Sequence, residues 1–132
     1  MTTPSENEIG KEVVDAAIAV HRELGPGLLE SVYEAILADE LSSRGFSVSQ
    51  QVPIPVVYKN RKFEEGFRAD LIVNDLVIIE LKSIDSLRAV HKKQLLTYLK
   101  LSRKKLGFLL NFGEVVMKSG IVRIANGLPE AS

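Results

Sequence analysis

Apolar and polar residues alternate with helical spacing through the first third of the chain. The spacing predicts a first helix over Glu6–Leu24, and Ser5 with Glu8 has the form of a capping box at its start. The apolar positions of this helix are Ile9, Val13, Ala16, Ala17, Val20 and Leu24. Gly25-Pro26-Gly27 ends it, and a second helix is predicted from about Leu29 to Arg44.

The period of the apolar positions changes to two after Gly45, which indicates strands. Pro53 and Pro55 indicate an edge strand or a bulge near the start of this region. The order ααβββαββ predicts an α/β fold of mixed α+β type, a central mixed sheet flanked by helices. The remaining predicted elements are a strand from Phe46 that continues through Val52–Tyr58, a polar turn at Lys59–Lys62, central strands at Phe63–Val73 and Leu76–Lys82, a helix at about Ser86–Ser102, and strands at Leu106–Phe112 and Ile121–Ala125.

Length and composition are those of one globular domain. The 132 residues are 45% hydrophobic and 26% charged, which is ordinary for a chain that buries a single core. We expect one domain over residues 1–132, with a core at about 8–125 and short flexible termini. The absence of cysteine excludes disulfides and thiolate metal sites. The polar N-terminus resembles no signal peptide, and no run approaches the ~20 apolar residues of a membrane span. We therefore expect a cytoplasmic protein without membrane association.

Charge is distributed unevenly along the chain, although the net charge is zero. Residues 1–45 carry nine acidic and three basic side chains, whereas residues 86–113 carry seven basic side chains and no acidic one. This asymmetry indicates either one face that attracts phosphates or an ordinary solvated helix followed by a basic turn.

Three charged residues lie in runs that are otherwise rich in Leu, Ile and Val. They are Asp70, Glu80 and Lys82. Burying an unpaired charge costs several kcal/mol or forces its neutralisation, so charges kept at such positions are expected to pair with each other or with a metal. Glu80 and Lys82 point to one face of a strand. A two-residue turn at Asn74-Asp75 would put Asp70 on the opposite face, so a shared site requires a three-residue turn or a bulge.

Two carboxylates on one face favour a hard divalent cation, magnesium or alternatively manganese. Such an ion activates water and stabilises charge on a phosphate, and Lys82 beside it is suited to hold that water or offset phosphate charge. The alternative is an internal salt bridge of Lys82 with Asp70 or Glu80.

Two further groups of side chains lie near this motif. His91, Gln94 and Tyr98 form one stripe on the third helix, suited to orient the site unless Tyr98 is simply core with Gln94 as its partner. Glu30 and Tyr33 share a face at the start of the second helix. Glu30 there either offers a further carboxylate to the metal or only complements the helix dipole.

Together these residues resemble the GxxExxY proteins, a bacterial and archaeal family placed in the PD-(D/E)xK nuclease superfamily. The resemblance covers about residues 8–125 and implies a restriction-endonuclease-like core. It implies that Asp70, Glu80 and Lys82 are the core triad, that Glu30 is the acidic residue of the first core helix, and that Gln94 and Tyr98 form a Q-x-x-x-Y element. The matching segments are Gly27-x-x-Glu30-x-x-Tyr33, Arg68-Ala69-Asp70, Glu80-Leu81-Lys82, His91-x-x-Gln94-Leu95-Leu96-x-Tyr98-Leu99 and Leu110-Asn111-Phe112.

The sequence therefore predicts a magnesium-dependent nuclease. Asp70, Glu80 and the Leu81 carbonyl are expected to hold the metal, with Glu30 as a further ligand, and Lys82 to position the water. The phosphate backbone of a nucleic acid, DNA in preference to RNA, is expected to meet His91, Lys92, Lys93 and Lys100. The alternative is a nuclease fold with weak or no catalysis that binds nucleic acid or a protein partner. A homodimer is a further alternative, with the edge strand and the first helix as contact surfaces.

Overall fold

The structure is a computed structural model, and it describes residues 3–128. Residues 1–2 and 129–132, which belong to the termini predicted to be flexible, lie outside the described residues. The elements are α1 (Glu6–Leu24), α2 (Glu30–Ser43), β1 (Val48–Tyr58), β2 (Arg61–Val73), β3 (Val77–Lys82), α3 (Ala89–Ser102), β4 (Leu106–Asn111), a 3₁₀ turn (Met117–Gly120) and β5 (Ile121–Ala125).

The five strands form one mixed sheet in the order β1-β2-β3-β4-β5. Neighbouring strands are antiparallel except β3 and β4, which are parallel and are joined by the crossover helix α3. The fold is thus the predicted mixed α/β architecture with a sheet flanked by helices. Among the helices of the described residues, none has the length and apolar character needed to cross a membrane.

Two apolar cores lie on opposite faces of the sheet. Residues of α1 and α2 such as Val13 and Leu37 pack with Ile79 and Leu110 on one face. On the other face, Leu95 of α3 packs with residues of β2, β3 and β4. Alternate residues of β3 face the two cores, which explains why Val77–Leu81 are all buried although the strand carries a glutamate.

Local signals placed α1 and the edge strand correctly. The capping box predicted at Ser5 and Glu8 is present at the first residue of α1. The strand with Pro53 and Pro55 is the sheet edge β1, and its register with β2 shifts between Ile54 and Val56, as expected for a bulge.

Several element boundaries differ from the sequence prediction by one to three residues: β1 begins at Val48 rather than Phe46, β3 begins at Val77 rather than Leu76, and β4 ends at Asn111 rather than Phe112. Only Lys59 and Asn60 form the turn between β1 and β2, and both have positive φ, as in the tight hairpin turns that match strand twist. Helix α3 begins at Ala89 rather than Ser86. Arg88 is its N-cap, and the Arg88 amide donates to His91 Nδ1 (2.9 Å).

Candidate active site

The turn between β2 and β3 places Asp70 opposite Glu80. The strands pair at Leu71–Ile79, Ile72–Ile78 and Val73–Val77, which leaves three residues, 74–76, in the turn. Continuing this register by one step brings Asp70 level with Glu80 and on the same face. The prediction of an odd-numbered turn is therefore confirmed. Asn74 and Asp75 both have positive φ, a conformation that these residue types tolerate.

Contacts from other elements hold this turn. The Ser47 amide donates to Asn74 Oδ1 (2.8 Å), and the Asn74 amide donates to the Ser47 carbonyl (2.7 Å). Lys104 Nζ, just after α3, donates to the Asp75 carbonyl (2.9 Å) and to its carboxylate (3.1 Å). These tertiary contacts hold the turn in the conformation that places Asp70 opposite Glu80.

Carboxylate side chains bond to backbone groups where β2 and β3 end their pairing. The Leu81 amide donates to Asp70 Oδ2 (2.9 Å), and the Asp70 amide lies 3.4 Å from Glu80 Oε1. Each carboxylate is therefore tied to the backbone of the other strand, which fixes the two groups side by side.

Glu80 is buried, with 8% of its surface exposed. Burial raises the pKa of Glu80 to about 9, and the neighbouring Asp70 carboxylate acts in the same direction, while the charge of Lys82 opposes it. In the absence of a cation, the Glu80 side chain is thus neutral at pH 7. A divalent cation would replace that proton and remove the repulsion between the carboxylates.

The backbone at Leu81 offers an oxygen on the same side. Its amide points toward β2, where it meets Asp70, while the Lys82 carbonyl at the next position accepts from the Phe112 amide on the β4 side (2.8 Å). Because successive residues of a strand direct their backbone groups to opposite neighbours, the Leu81 carbonyl points to the Asp70 side. The two carboxylates and this carbonyl are a donor set of the kind that magnesium prefers, so the residues fit a metal of that class.

Lys82 lies beside the carboxylates without an ion pair to either one. Its side chain is half-buried, and among the ion pairs of residues 3–128 none involves Lys82. The alternative of an internal Lys82 salt bridge is therefore not what the structure shows. The ammonium group remains available to a water or a phosphate.

Helix α3 brings Tyr98 near the carboxylates, with Gln94 beside it. The Tyr98 ring stacks on Phe67 of β2, with centroids 3.8 Å apart and an interplanar angle of 6°. Burial raises the pKa of the Tyr98 hydroxyl, as do the charges of Glu80 and Asp70, whereas Gln94 beside it lowers that pKa. Tyr98 therefore packs as a half-buried residue, close enough to the carboxylates for their charge to affect its hydroxyl.

The predicted nucleic-acid contacts lie on α3 with different degrees of exposure. Lys92, Lys93 and Lys100 are exposed, whereas His91 is half-buried. His91 Nδ1 accepts from the Arg88 amide (2.9 Å), so the imidazole caps the start of α3. Its structural role is therefore evident, and contact with nucleic acid stays a prediction.

The Gly27–Tyr33 motif builds the loop that carries Glu30. Gly27 has φ of 110°, a value that favours glycine. The buried Tyr33 stacks on Phe112, and its hydroxyl donates to the Gly25 carbonyl and accepts from the Leu28 amide. Glu30 is the first residue of α2 and is exposed. Glycine and tyrosine thus shape the backbone, while the glutamate faces solvent.

A second glutamate of α2, Glu34, was not predicted. Gln51 Nε2 donates to Glu34 Oε1 (2.6 Å) and to Asp70 Oδ1 (3.2 Å), so one amide bridges α2 and β2. Burial raises the pKa of Glu34, and the charges of Asp70 and Glu30 add to the effect, against hydrogen bonds from Gln51 and Gln50. The spacing of Glu30 and Glu34 by one helical turn is the signal that sequence reasoning passed over.

The bridge depends on an unusual backbone conformation. Gln51 has φ of 51°, which is uncommon for a residue other than glycine. It lies between the pairs Gln50–Leu71 and Val52–Ala69, and so opposite Asp70. The distortion turns an edge-strand side chain toward the site, an outcome that strand periodicity does not predict.

Asn111 supports the backbone that follows Lys82. It is fully buried, accepts from the amides of Ile84 (3.0 Å) and Gly113 (3.1 Å), and donates to the Ile84 carbonyl (2.9 Å). Gly113 is required because a Cβ there would lie 2.1 Å from the Ile84 carbonyl oxygen. Ser83 Oγ also donates to the Leu28 carbonyl (2.8 Å), which joins this segment to the loop before Glu30.

The structure gathers some of the predicted residues more closely than others. Asp70, Glu80 and the Leu81 backbone are in direct contact, and Lys82 lies beside them. Tyr98 is near enough to be affected by the two carboxylate charges, and Gln94 is its hydrogen-bond partner. Within residues 3–128, no three His, Cys, Asp or Glu side chains are close enough together to hold a metal. Glu30 therefore does not join Asp70 and Glu80 in a preformed cluster.

Comparison with known proteins identifies the family. A scan against protein-family models matches residues 7–124 to the PD-(D/E)XK nuclease superfamily. The match spans most of the chain, so the chain belongs to that superfamily. No curated protein and no solved structure gives a significant match.

Proposed function

We propose that this member of the PD-(D/E)XK superfamily is a magnesium-dependent nuclease that hydrolyses phosphodiester bonds, with DNA favoured over RNA. The observation that carries the proposal is the pairing of Asp70 with Glu80 on one face, beside the unpaired Lys82. Membership in a nuclease superfamily supports the same reaction class.

Asp70, Glu80 and the Leu81 carbonyl are the groups that would hold the ion in this proposal. A bound magnesium or manganese ion supplies Lewis acidity toward the phosphate and lowers the pKa of a coordinated water. Glu34 is linked to Asp70 through Gln51, and Glu30 lies one helical turn before Glu34. We assign both glutamates to positioning of water or metal from the α2 side.

Lys82 positions the attacking water and offsets the charge that develops on the phosphate. Its ammonium group has no competing partner among the described residues, and donors aimed at developing charge contribute strongly to catalysis. Gln94 and the Tyr98 hydroxyl orient groups beside the carboxylates. As the superfamily implies, water would attack phosphorus while the bond to the 3′-oxygen breaks, and the products would be a 5′-phosphate and a 3′-hydroxyl.

The exposed lysines of α3 contact the phosphate backbone in this proposal. Lys92, Lys93 and Lys100 belong to the helix that also carries Gln94 and Tyr98, so a backbone held by them passes beside the carboxylates. His91 lies in the first turn of the same helix, where it serves as a cap, and we keep it as a further contact at that end of α3.

The proposal is tested by cleavage of single- and double-stranded DNA and RNA with and without magnesium. We expect cleavage that requires the ion and that falls at least about 100-fold in Lys82→Ala. Lys11→Ala is the matched control, since Lys11 is an exposed lysine of α1 and should leave the rate unchanged. Equal rates for wild type and Lys82→Ala would identify a contaminating nuclease and reject the assignment.

We also place the chain in the GxxExxY family, as one cytoplasmic domain. Support comes from the role of Gly27 and Tyr33 in shaping the loop that presents Glu30. Isothermal titration with magnesium and manganese separates the enzyme from the alternative of a non-catalytic binding module. Binding that Glu80→Gln abolishes supports the enzyme, and the lack of binding to wild type favours the module.

A further inference from the structure

Strands β1 and β2 extend well beyond the end of β3. The pairing of β2 with β3 ends at Leu71–Ile79, so the earlier part of β2, which pairs with β1 alone, overhangs the end of the site. Residues 61–66 are all exposed. At about 3.3 Å per residue, the overhang from Arg68 to Arg61 is roughly 23 Å long. The hairpin tip, residues 57–63, thus projects past the carboxylates into solvent.

At the base of this hairpin, the pairing of β1 with β2 contains a bulge, which bends the strands. The register shifts between Ile54 and Val56, and a Cβ at Gly66 would lie 1.9 Å from Val56 Cγ2. Glycine at position 66 is therefore needed for the close approach of the two strands. The bend is encoded by the sequence and sets the direction of the tip.

Two aromatic rings are exposed at the tip, and within the described residues neither ring is covered on both of its faces. Tyr58 pairs with Arg61 across the hairpin, and Phe63 follows Arg61 by two residues, so these three side chains share one face. Tyr58 is 64% exposed and Phe63 is 44% exposed. Lys59 lies over the Tyr58 ring at 5.4 Å, and Arg61 lies over the Phe63 ring at 5.1 Å.

The charge of the tip is positive. Lys59, Arg61 and Lys62 lie in residues 57–63, which contain no acidic residue. The next two residues are acidic, and both form ion pairs: Glu64 with Lys62 (3.7 Å) and Glu65 with Arg68 (2.6 Å). A surface of exposed rings with cations beside them suits a polyanion whose bases are free to stack.

We propose that the hairpin tip binds a single-stranded segment of the nucleic acid whose hydrolysis is proposed above. Cations that track the backbone and aromatic rings on which unpaired bases stack are the combination used for single strands. Paired bases inside a duplex have no free face for Tyr58 and Phe63. The inference rests on the proposed function, because it assigns a second contact to the same substrate.

The first test measures binding of a fluorescent single strand, about 20 nucleotides long so that it exceeds the site size of one such surface, by anisotropy in EDTA so that no cleavage occurs. Tyr58→Ala with Phe63→Ala should weaken single-strand binding at least about fivefold, because each stacked base adds affinity. A duplex of the same length should lose less than about twofold, since its bases are already stacked. Val115→Ala with Val116→Ala removes two other exposed apolar side chains and should have no effect.

The second test removes the cations Lys59, Arg61 and Lys62 together. The slope of log affinity against log salt should fall by about 2, since each phosphate contact on a single strand contributes about 0.7. The control variant removes Lys11, Arg22 and Lys118, which are exposed on α1 and the 3₁₀ turn, and should keep the wild-type slope. Thermal melts confirm that each variant is folded.

The outcomes separate this inference from the proposed function. If wild type cleaves and binds nucleic acid, and the aromatic variants bind the single strand equally well, the hairpin assignment alone would be overturned. Wild type that neither binds nor cleaves nucleic acid would overturn both. Loss of a dimer in the aromatic variants by light scattering, with single-strand binding intact, would assign the tip to a second copy of the chain instead.

Discussion

At the scale of residues, Asp70 and Glu80 lie side by side with their carboxylates in a partly buried site. In the unfolded chain, water solvates both carboxylates, whereas the fold buries Glu80 and raises its pKa from 4.5 to about 9. Burial of Glu80, together with its proximity to Asp70, is therefore a source of instability when the metal is absent. The same two residues couple stability to pH and to divalent ions.

Metal-free protein should lose stability as the pH rises. Between pH 4.5 and pH 9, folded Glu80 retains a proton that the unfolded chain has released, so the free energy of unfolding falls with rising pH in this window. Glu80→Gln removes this titration and should be more stable than wild type at about pH 8 by roughly 1–3 kcal/mol. Urea unfolding in EDTA, at steps of about one pH unit across this window, measures the difference.

Two features of that experiment test the cause. The variants should differ little at about pH 4, just below this window, because Glu80 is then protonated in the folded wild type and mostly protonated in the unfolded chain as well. Magnesium should stabilise wild type at about pH 8 and leave Glu80→Gln nearly unaffected. A wild-type stability that rises with pH relative to Glu80→Gln would show that Glu80 is ionised in the metal-free fold.

At the scale of elements, the segment after β3 owes its shape to one side chain of β4. Asn111 satisfies both backbone groups of Ile84 and the amide of Gly113. The parallel pairing of β3 with β4 puts Asn111 level with Lys82. The end of β3, which carries Lys82, is therefore held in place by a side chain of the neighbouring strand β4.

Asn111→Ala should destabilise the protein by about 2–3 kcal/mol, because it leaves buried backbone groups without partners. It should also slow cleavage more than it weakens substrate binding, since Lys82 loses its support. Denaturant unfolding measures the loss of stability. Steady-state kinetics, from which kcat and KM are determined separately, measure the effect on cleavage. Asn126→Ala is the matched control: its side-chain bond to the Lys104 carbonyl lies at the other end of β4, so a loss of kcat there would argue against the role of Asn111.

Sequence patterns within single helices and strands predicted most of the fold. Features that depend on contacts between different elements were not predicted. The capping box and apolar spacing identified both ends of α1, because they depend on residues within one segment. The path of the segment before α3 depends on Asn111, and the role of Glu34 depends on Gln51, and both partners lie far away in the chain. Turn parity was predictable because strand geometry alone relates Asp70 to Glu80.

At the scale of the whole molecule, the sheet separates layers of opposite charge. The acidic segment 1–45 contains α1 and α2, which cover one face, and the basic segment 86–113 contains α3, which covers the other. The zero net charge thus conceals a polarity across the sheet. A nucleic acid should approach from the α3 side.

Cleavage should become less efficient as salt rises, mainly through KM. Replacing Lys92, Lys93 and Lys100 by alanine should reduce the slope of log affinity against log salt by about 2–3. Binding titrations between about 50 and 300 mM NaCl, the range where phosphate contacts respond, measure the slope. Glu23→Gln with Asp39→Asn, on the acidic layer, is the control, and an equal change there would contradict a contact specific to α3.

The three-residue turn at positions 74–76 has a consequence for divergence among related chains. Loss or gain of one residue there would exchange the inward and outward faces of one strand, and so separate Asp70 from Glu80. A change of two residues causes no such exchange. Homologues that keep both carboxylates should therefore differ in the length of this connection by even numbers, and an odd difference should be accompanied by a compensating bulge in β2 or β3.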